Sequence, residues 1–263
     1  MAENSRIGWT THTFNPWIGC TRVSAACDHC YAEAWDARFR GQGPSHWGPH
    51  AARRRTKTWG DPHRWQRAAA AAGVRSRVFC ASLADVFDNH RSIDPAWRAD
   101  LWDLIRATPD LDWLMLTKRP QNIRRYLPQD WGANGYHNVW LGATAEDQAA
   151  LDQRIPSLTA VPARVRFLSC EPLLGPLDLR GGAGLDWVIA GGESGPSYRA
   201  TDPAWFRDLR DQCARHDIAF YFKQWSGPSQ AAIKAQGRAL DGVVHDGFPA
   251  LRRDWLRADR GRR

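Results

Sequence analysis

Seven short apolar runs, each followed by a helical pattern, constrain this chain more than any other feature. The runs are Phe14–Gly19, Val78–Ser82, Trp113–Thr117, Val139–Ala143, Val165–Ser169, Trp187–Ala190 and Ala219–Phe222. Between them lie stretches with helical periodicity at Cys30–Phe39, Pro62–Ala72, Pro95–Ala107, Pro120–Tyr126, Glu146–Ile155 and Pro203–His216. Strand and helix alternating at this spacing predict an α/β fold with a parallel sheet. Asp94-Pro95 and Asp202-Pro203 read as helix starts, because aspartate suits the N-cap and proline the first helical position. No Ser/Gly-rich linker divides the chain, so residues 1–263 read as one domain. The rhythm fades after Trp225, which predicts a peripheral extension over 226–263. The Gly-, His- and Trp-rich stretch 41–60 reads as a loop that either packs on the surface or faces a substrate.

The strand ends carry the functional signal. Just past the apolar runs stand Cys20; Ser82 and Asp85; Thr117, Lys118 and Arg119; Thr144 and Glu146; Ser169 and Glu171; Gly191, Gly192 and Glu193; Lys223 and Gln224. In a parallel (β/α) barrel those ends share one rim, and that rim is where active sites are built. Helix capping accounts for some of these residues. It does not account for Lys118, Arg119, Glu171 or Lys223, so a partial TIM-like barrel with a ring-shaped site is the expected architecture.

Composition bears on partners and compartment. No stretch approaches the ~18 consecutive apolar residues of a membrane span, and the start Met1-Ala2-Glu3-Asn4 lacks a signal-peptide layout. A cytoplasmic protein with no membrane association is expected. The net charge is +8, and only four of the 36 basic residues are lysines. Much of the excess lies in Arg53-Arg54-Arg55 with Lys57, and in a tail holding Arg252, Arg253, Arg257, Arg260, Arg262 and Arg263. Arginine-favouring genome composition or a nucleic-acid partner each explains it.

The six cysteines fall into two groups. Cys80, Cys170 and Cys213 are scattered, and the first two sit in apolar runs as small hydrophobes. Cys20, Cys27 and Cys30 form C-x6-C-x2-C in a chain expected to stay in a reducing compartment, which points to metal rather than a disulfide. Three cysteines suit a [4Fe-4S] cluster with one iron open to a small ligand, since fully cysteinyl clusters take four. A Cys3His zinc site completed by His12, His29 or a histidine of the 41–60 loop is the alternative. It would make the chain a non-catalytic, zinc-stabilised nucleic-acid-binding protein.

The cysteine loop after the first strand, Tyr31 following the third cysteine, and the βα repeats resemble the radical S-adenosylmethionine (SAM) superfamily. The spacing is three residues longer than that superfamily's usual C-x3-C-x2-C. Asn15-Pro16-Trp17-Ile18-Gly19-Cys20, Thr117-Lys118-Arg119-Pro120, Glu171-Pro172-Leu173-Leu174-Gly175-Pro176, Gly191-Gly192-Glu193-Ser194-Gly195 and Lys223-Gln224-Trp225 are similar to a narrower phage- and bacterium-borne branch. The likeness covers roughly residues 8 to 250.

What the resemblance implies is an enzyme holding a [4Fe-4S] cluster on Cys20, Cys27 and Cys30, with SAM chelating the open iron. An electron donor reduces the cluster, SAM is cleaved, and a 5′-deoxyadenosyl radical takes hydrogen from substrate. Asp85 or Glu193 would accept from the SAM ammonium, and Lys118 or Arg119 would pair with its carboxylate. Ser169, Glu171 or Thr144 would bond the ribose, Ser82 lies on the same rim, and Gly191-Gly192 would let the backbone approach the cofactor. Trp17, Lys223, Gln224 and Trp225 are expected to face the substrate. Trp47, Trp59 and Trp65, in or near the basic loop, add faces on which bases stack. DNA or RNA, or a nucleotide, is therefore the expected substrate.

Overall fold

A computed structural model describes residues 3–250; the basic tail from Arg252 onward lies outside them. Its strands are β1 (His12–Phe14), β2 (Trp17–Ile18), β3 (Arg54–Arg55), β4 (Ser76–Cys80), β5 (Leu111–Thr117), β6 (Val139–Thr144), β7 (Val165–Cys170), β8 (Trp187–Gly191), β9 (Ala219–Gln224), β10 (Ala239–Leu240) and β11 (Val243–Val244). Its helices are α1 (Tyr31–Phe39), α2 (Asp61–Ala72), α3 (Pro95–Arg106), α4 (Ile123–Tyr126), α5 (Gln148–Thr159), α6 (Pro203–Arg215) and α7 (Gln230–Gln236). Seven strands form one sheet in the order β1-β4-β5-β6-β7-β8-β9. Every pairing in it is parallel. Asp94 and Asp202 cap α3 and α6, accepting from Ala96 N–H at 2.9 Å and Ala204 N–H at 2.8 Å. No helix among the described residues is long and apolar enough to cross a membrane.

The sheet curls into an open half-barrel, and its inner side chains show it. Trp9, just before β1, packs on Phe79 of β4 at 4.7 Å and on Trp187 of β8 at 6.3 Å. A Cβ added at Gly8 would stand 2.3 Å from the Tyr221 hydroxyl of β9. A flat sheet would hold those strands far apart. Because side chains alternate faces along a strand, Val78, Met115, Leu141, Leu168, Val188 and Phe222 pack outward against the helices. Phe79, Leu114, Trp140, Phe167, Trp187 and Tyr221 fill the concave interior.

Gly142 sits on the inner face of β6, where a Cβ would come within 2.3 Å of the Phe167 ring. Gly142→Ala is therefore expected to cost ~1–3 kcal/mol through overpacking. A urea midpoint that falls with an unchanged slope would register it; an unmoved midpoint would show that Phe167 can swing away.

Three sequence expectations change. The run Phe14–Gly19 is not one strand. Pro16 has no N–H to donate, so the chain breaks after Phe14, and β2 turns aside to pair antiparallel with β3. Buried Asn15 fixes the break by donating to Ser82 Oγ at 3.0 Å and accepting from Leu83 N–H at 2.6 Å. Glu146 does not begin a helix, because Asp147 caps α5 through Ala150 N–H at 2.8 Å. Residues 226–250 are not merely peripheral. Phe248 packs on Trp187 and Tyr221 beneath the interior, and Gly247 N–H donates to Phe220 O at 3.0 Å along the β9 edge.

Candidate functional site

Toward their C-terminal ends the strands exchange aromatic interior residues for polar ones. The interior positions become Thr144 on β6, Ser169 on β7, Gly191 on β8 and Lys223 on β9. Above them opens a cavity of about 1230 Å³. Ser82, Asp85, Lys118, Arg119, Thr144, Ser169, Glu171, Lys223 and Gln224 all line it, and so do Cys20, Cys27 and Cys30.

The cysteine loop is held from three directions. Gly19 (φ +117°) lets the chain turn into Cys20, and a Cβ there would meet His46 O at 2.4 Å. Arg53 is buried and donates to Asp88, to Thr21 Oγ1 and to the carbonyls of His46, Gly48 and Ala51. The 41–60 loop thereby becomes a packed support for the cysteine loop. From the barrel, Arg119 Nη1 lies 3.6 Å from Cys20 Sγ, and its Nη2 donates to Thr21 O at 2.8 Å. Burial, then the charge of Asp85, push the Cys20 thiol up to about 11 despite Arg119. A metal binding there displaces that proton.

Asp85 organises these strand ends. Its carboxylate accepts from Phe87 N–H at 2.9 Å, Thr117 Oγ1 at 2.8 and 2.9 Å, Lys118 N–H at 3.2 Å and Arg119 Nη1 at 3.0 Å. Those donors use the roughly four acceptor sites of a carboxylate, so Asp85 positions Arg119 and Cys20 and has no site left for an ammonium ligand.

Glu193 is likewise engaged. Arg199 grips it with Nε at 2.9 Å and Nη2 at 2.5 Å, and His29 Nδ1 stands 3.1 Å away. Arg199 also donates to Ala25 O at 3.0 Å and Asp28 Oδ2 at 3.4 Å. The Gly-Gly-Glu segment therefore clamps the stretch holding Cys27 rather than lining the cavity. At Gly192 a Cβ would strike Ser226 N at 2.3 Å, so the glycine admits backbone, not cofactor.

Burial disfavours the Glu193 carboxylate, but the Arg199 and His29 hydrogen bonds outweigh it and hold the group at about 2, against an ordinary 4.5. A lowered folded-state value stabilises the fold above pH 4.5, and that contribution disappears as pH falls toward 2. Unfolding free energy followed by acid titration should lose this portion of its slope in Glu193→Gln. Parallel profiles for the two proteins would count against the clamp.

The floor is built differently. Lys223 Nζ pairs with Glu171 Oε1 at 2.7 Å, and Ser169 Oγ donates to Glu171 Oε2 at 3.1 Å. Thr144 is 1% exposed and lines the cavity, and its hydroxyl has no protein partner. A buried polar group left so is an opening for a ligand. Lys118 is half-buried at the wall and forms no ion pair among the described residues.

The tryptophans expected at the mouth mostly lie elsewhere. Trp17 is fully buried against Trp97, with the Arg98 guanidinium over its ring. Trp225 packs on Phe206 and Phe222 in the outer core, Trp65 stacks on His12 at 4.4 Å, and Trp59 lies under Arg55. Only Trp47 of that set lines the cavity. Sequence reasoning missed Arg199, Arg53 and helix α7, whose Gln230, Ile233 and Lys234 form part of the wall. A buried carboxylate needs a partner, but the burial of Glu193 depends on the fold, so the sequence carried no signal for Arg199.

Three thiols, a donor type that iron-sulfur clusters take, stand at this end of the barrel. All three thiols are free and border one cavity. Cys30 stands at the N-cap of α1, where the helix dipole favours negative charge. A cluster places each thiolate on its own iron, whereas a zinc ion gathers four donors on one point. Among the described residues no group of three or more His, Cys, Asp or Glu side chains, the three cysteines included, is placed to hold a metal ion. His12, His29 and His46 are engaged by Trp65, Glu193 and Asp36, and exposed His50, the other histidine of the 41–60 loop, does not line the cavity. By contrast Cys80, Cys170 and Cys213 are buried in the outer core, and burial pushes the Cys213 thiol up to about 12.

The sequence profile of a family described as "Protein of unknown function (DUF5131)" matches residues 4–249. The chain belongs to the DUF5131 family. That match spans every element of the half-barrel, the cysteine loop and α7. No curated protein and no solved structure matches the chain.

Proposed function

We propose that the chain is a radical SAM-type enzyme whose Cys20, Cys27 and Cys30 hold a [4Fe-4S] cluster, with SAM in the adjoining cavity. The observation that carries this reading is that three free thiols and the unpartnered Thr144 hydroxyl border one cavity at the C-terminal strand ends. When bound, cluster and SAM supply one-electron cleavage of a carbon–sulfur bond and a radical that removes hydrogen from substrate.

The protein's own residues bind and orient. Lys118 is the cation for the SAM carboxylate, since Arg119 is engaged by Asp85 and the cysteine loop. Thr144 Oγ1, with Ser169 and Glu171, receives the ribose hydroxyls. The apolar interior below, ending in Leu116 and Tyr221 at the cavity wall, keeps water from the reacting centre. The substrate is a nucleic acid or nucleotide, modified or repaired in an intracellular, reducing setting.

The test is purification without oxygen, followed by iron and sulfide analysis and visible spectroscopy. Incubation with SAM and a strong reductant follows, with 5′-deoxyadenosine measured. About four iron and four sulfide per chain are expected, together with 5′-deoxyadenosine formation. A colourless protein carrying one zinc would overturn the reading in favour of a zinc-stabilised binding protein. An intact cluster that leaves SAM uncleaved would overturn the catalytic part.

A further inference from the structure

Helix α1 leaves the cysteine loop with its outer face unpartnered. Tyr31, Trp35 and Phe39 recur every four residues along it and are 58%, 37% and 58% exposed. With Val23 of the cysteine loop they make up half of the large exposed apolar side chains on the described surface. The Trp35 and Phe39 rings lie 4.9 Å apart, tilted by 39°, and the Arg38 guanidinium stands 5.2 Å from the Phe39 centroid. An aromatic patch of this kind, concentrated on one element, marks a binding surface.

Two observations select its occupant. First, the face is cationic. Arg38 and Arg40 are exposed, while Glu33 is paired with Arg22 at 3.1 Å and Asp36 is buried against His46 at 2.7 Å. Second, the stripe runs into the cavity. Tyr31 belongs to both, and its hydroxyl donates to Ser82 O at 2.8 Å across the mouth. Seven cationic side chains line that cavity against two carboxylates, Asp85 and Glu171, each already paired. Lys118 and Lys234 form no ion pair among the described residues. Its volume of about 1230 Å³ exceeds the ~300–1,000 Å³ of ordinary small-ligand pockets, leaving room for a base beside a cofactor.

We propose that the α1 face and the cavity mouth form one track for single-stranded nucleic acid. Unpaired bases lie on Tyr31, Trp35 and Phe39, and one base enters the cavity. Arg38 on the helix and Lys234 at the mouth, which forms no ion pair among the described residues, meet the phosphates. A residue pair four apart on a helix is separated by about 6 Å along its axis, against ~3.4 Å per nucleotide in a duplex strand. Successive rings therefore match an extended strand. A folded protein partner would account for the stripe but not for its continuity with the cavity through Tyr31. The proposal rests on the reading of the site above only for the fate of the entering base.

Fluorescence anisotropy tests it, using the full chain and short labelled single strands of DNA and RNA at two salt concentrations. Duplex and a nucleoside monophosphate serve as competitors. The wild type should bind at least one single strand, more weakly at higher salt, and duplex should compete poorly. The double variant Trp35→Ala/Phe39→Ala should weaken binding about tenfold or more, and Phe39→Ala alone by less, with melting curves unchanged because both side chains are exposed. No strand binding by the wild type, equal binding by the double variant, or a preference for duplex would overturn the proposal. A wild-type self-association that the double variant abolishes would assign the face to a second copy instead. Strand binding and iron content are read separately on protein prepared without oxygen, so a protein that lacks iron yet binds strands sinks only the cluster, and an iron-loaded protein that binds none sinks only the track.

Discussion

Replacing Cys27 by alanine is expected to give a colourless protein that retains no iron and forms no 5′-deoxyadenosine. The loss should be complete rather than graded, because among the described residues no histidine and no further cysteine lines the cavity. The other three cysteines are buried in the outer core on the far side of the sheet. Among the described residues His12, His29 and His46 are engaged elsewhere. Cys27 also lies in the stretch that Arg199 pins through Ala25 O and Asp28, so its position is built rather than incidental. Cys213→Ala is the matched control. It removes a thiol of the same chemistry from the packed face of α6, and should keep full iron content with only a stability cost. The measurement is iron and sulfide per chain with the visible spectrum, on proteins prepared without oxygen. An unchanged spectrum in Cys27→Ala would remove it from the ligand set and, with it, the proposed cluster. Equal iron loss in Cys213→Ala would show that the effect is one of folding.

The rim of the site was legible because a parallel half-barrel writes itself into sequence. Apolar runs, helices and the polar residues past each run recur in register, and the topology then delivers those residues to one end. Sequence could not separate residues that face the cavity from those that build it. Asp85 and Glu193 both follow strand ends, yet the donors that saturate them come from elsewhere in the chain, the end of β5 at Thr117–Arg119 and the loop residue Arg199. The same holds for the basic cluster. Arg53, Arg54 and Arg55 are adjacent, but β3 turns Arg53 inward onto Asp88 while Arg54 remains exposed. Strand pairing of two-residue elements leaves no pattern to read. The tryptophans misled for a related reason, since Trp17 on β2, Trp59 before α2 and Trp65 within it lie on elements whose burial depends on what folds over them. The four-residue recurrence of Tyr31, Trp35 and Phe39 was in the sequence throughout; which face of that helix stays uncovered was not.

The largest stability effect is expected from Asp85→Asn, a change that barely alters shape. Every partner of the Asp85 carboxylate is a donor: two backbone N–H groups, the Thr117 hydroxyl and the Arg119 guanidinium. An amide in its place turns one acceptor into a donor facing donors, and it withdraws the charge nearest Arg119, whose side chain is 6% exposed. Breaking a buried pair from one side costs about 3–5 kcal/mol, because the remaining charge stays desolvated. Asp88, at 3.8 Å from Arg119 Nε, still faces that charge and keeps the loss toward the lower end. The consequence should reach the cysteine loop, since Arg119 is the residue that holds Thr21 O and approaches Cys20 Sγ. Urea unfolding measures the first part, and iron content after reconstitution measures the second. Both should fall together in Asp85→Asn, whereas Gly142→Ala should lower stability alone. A variant as stable as the wild type would mean that Asp85 does not tie the strand ends to the loop. A destabilised variant with undiminished iron would confine its role to the fold and leave Cys20 to be positioned from the Arg53 side.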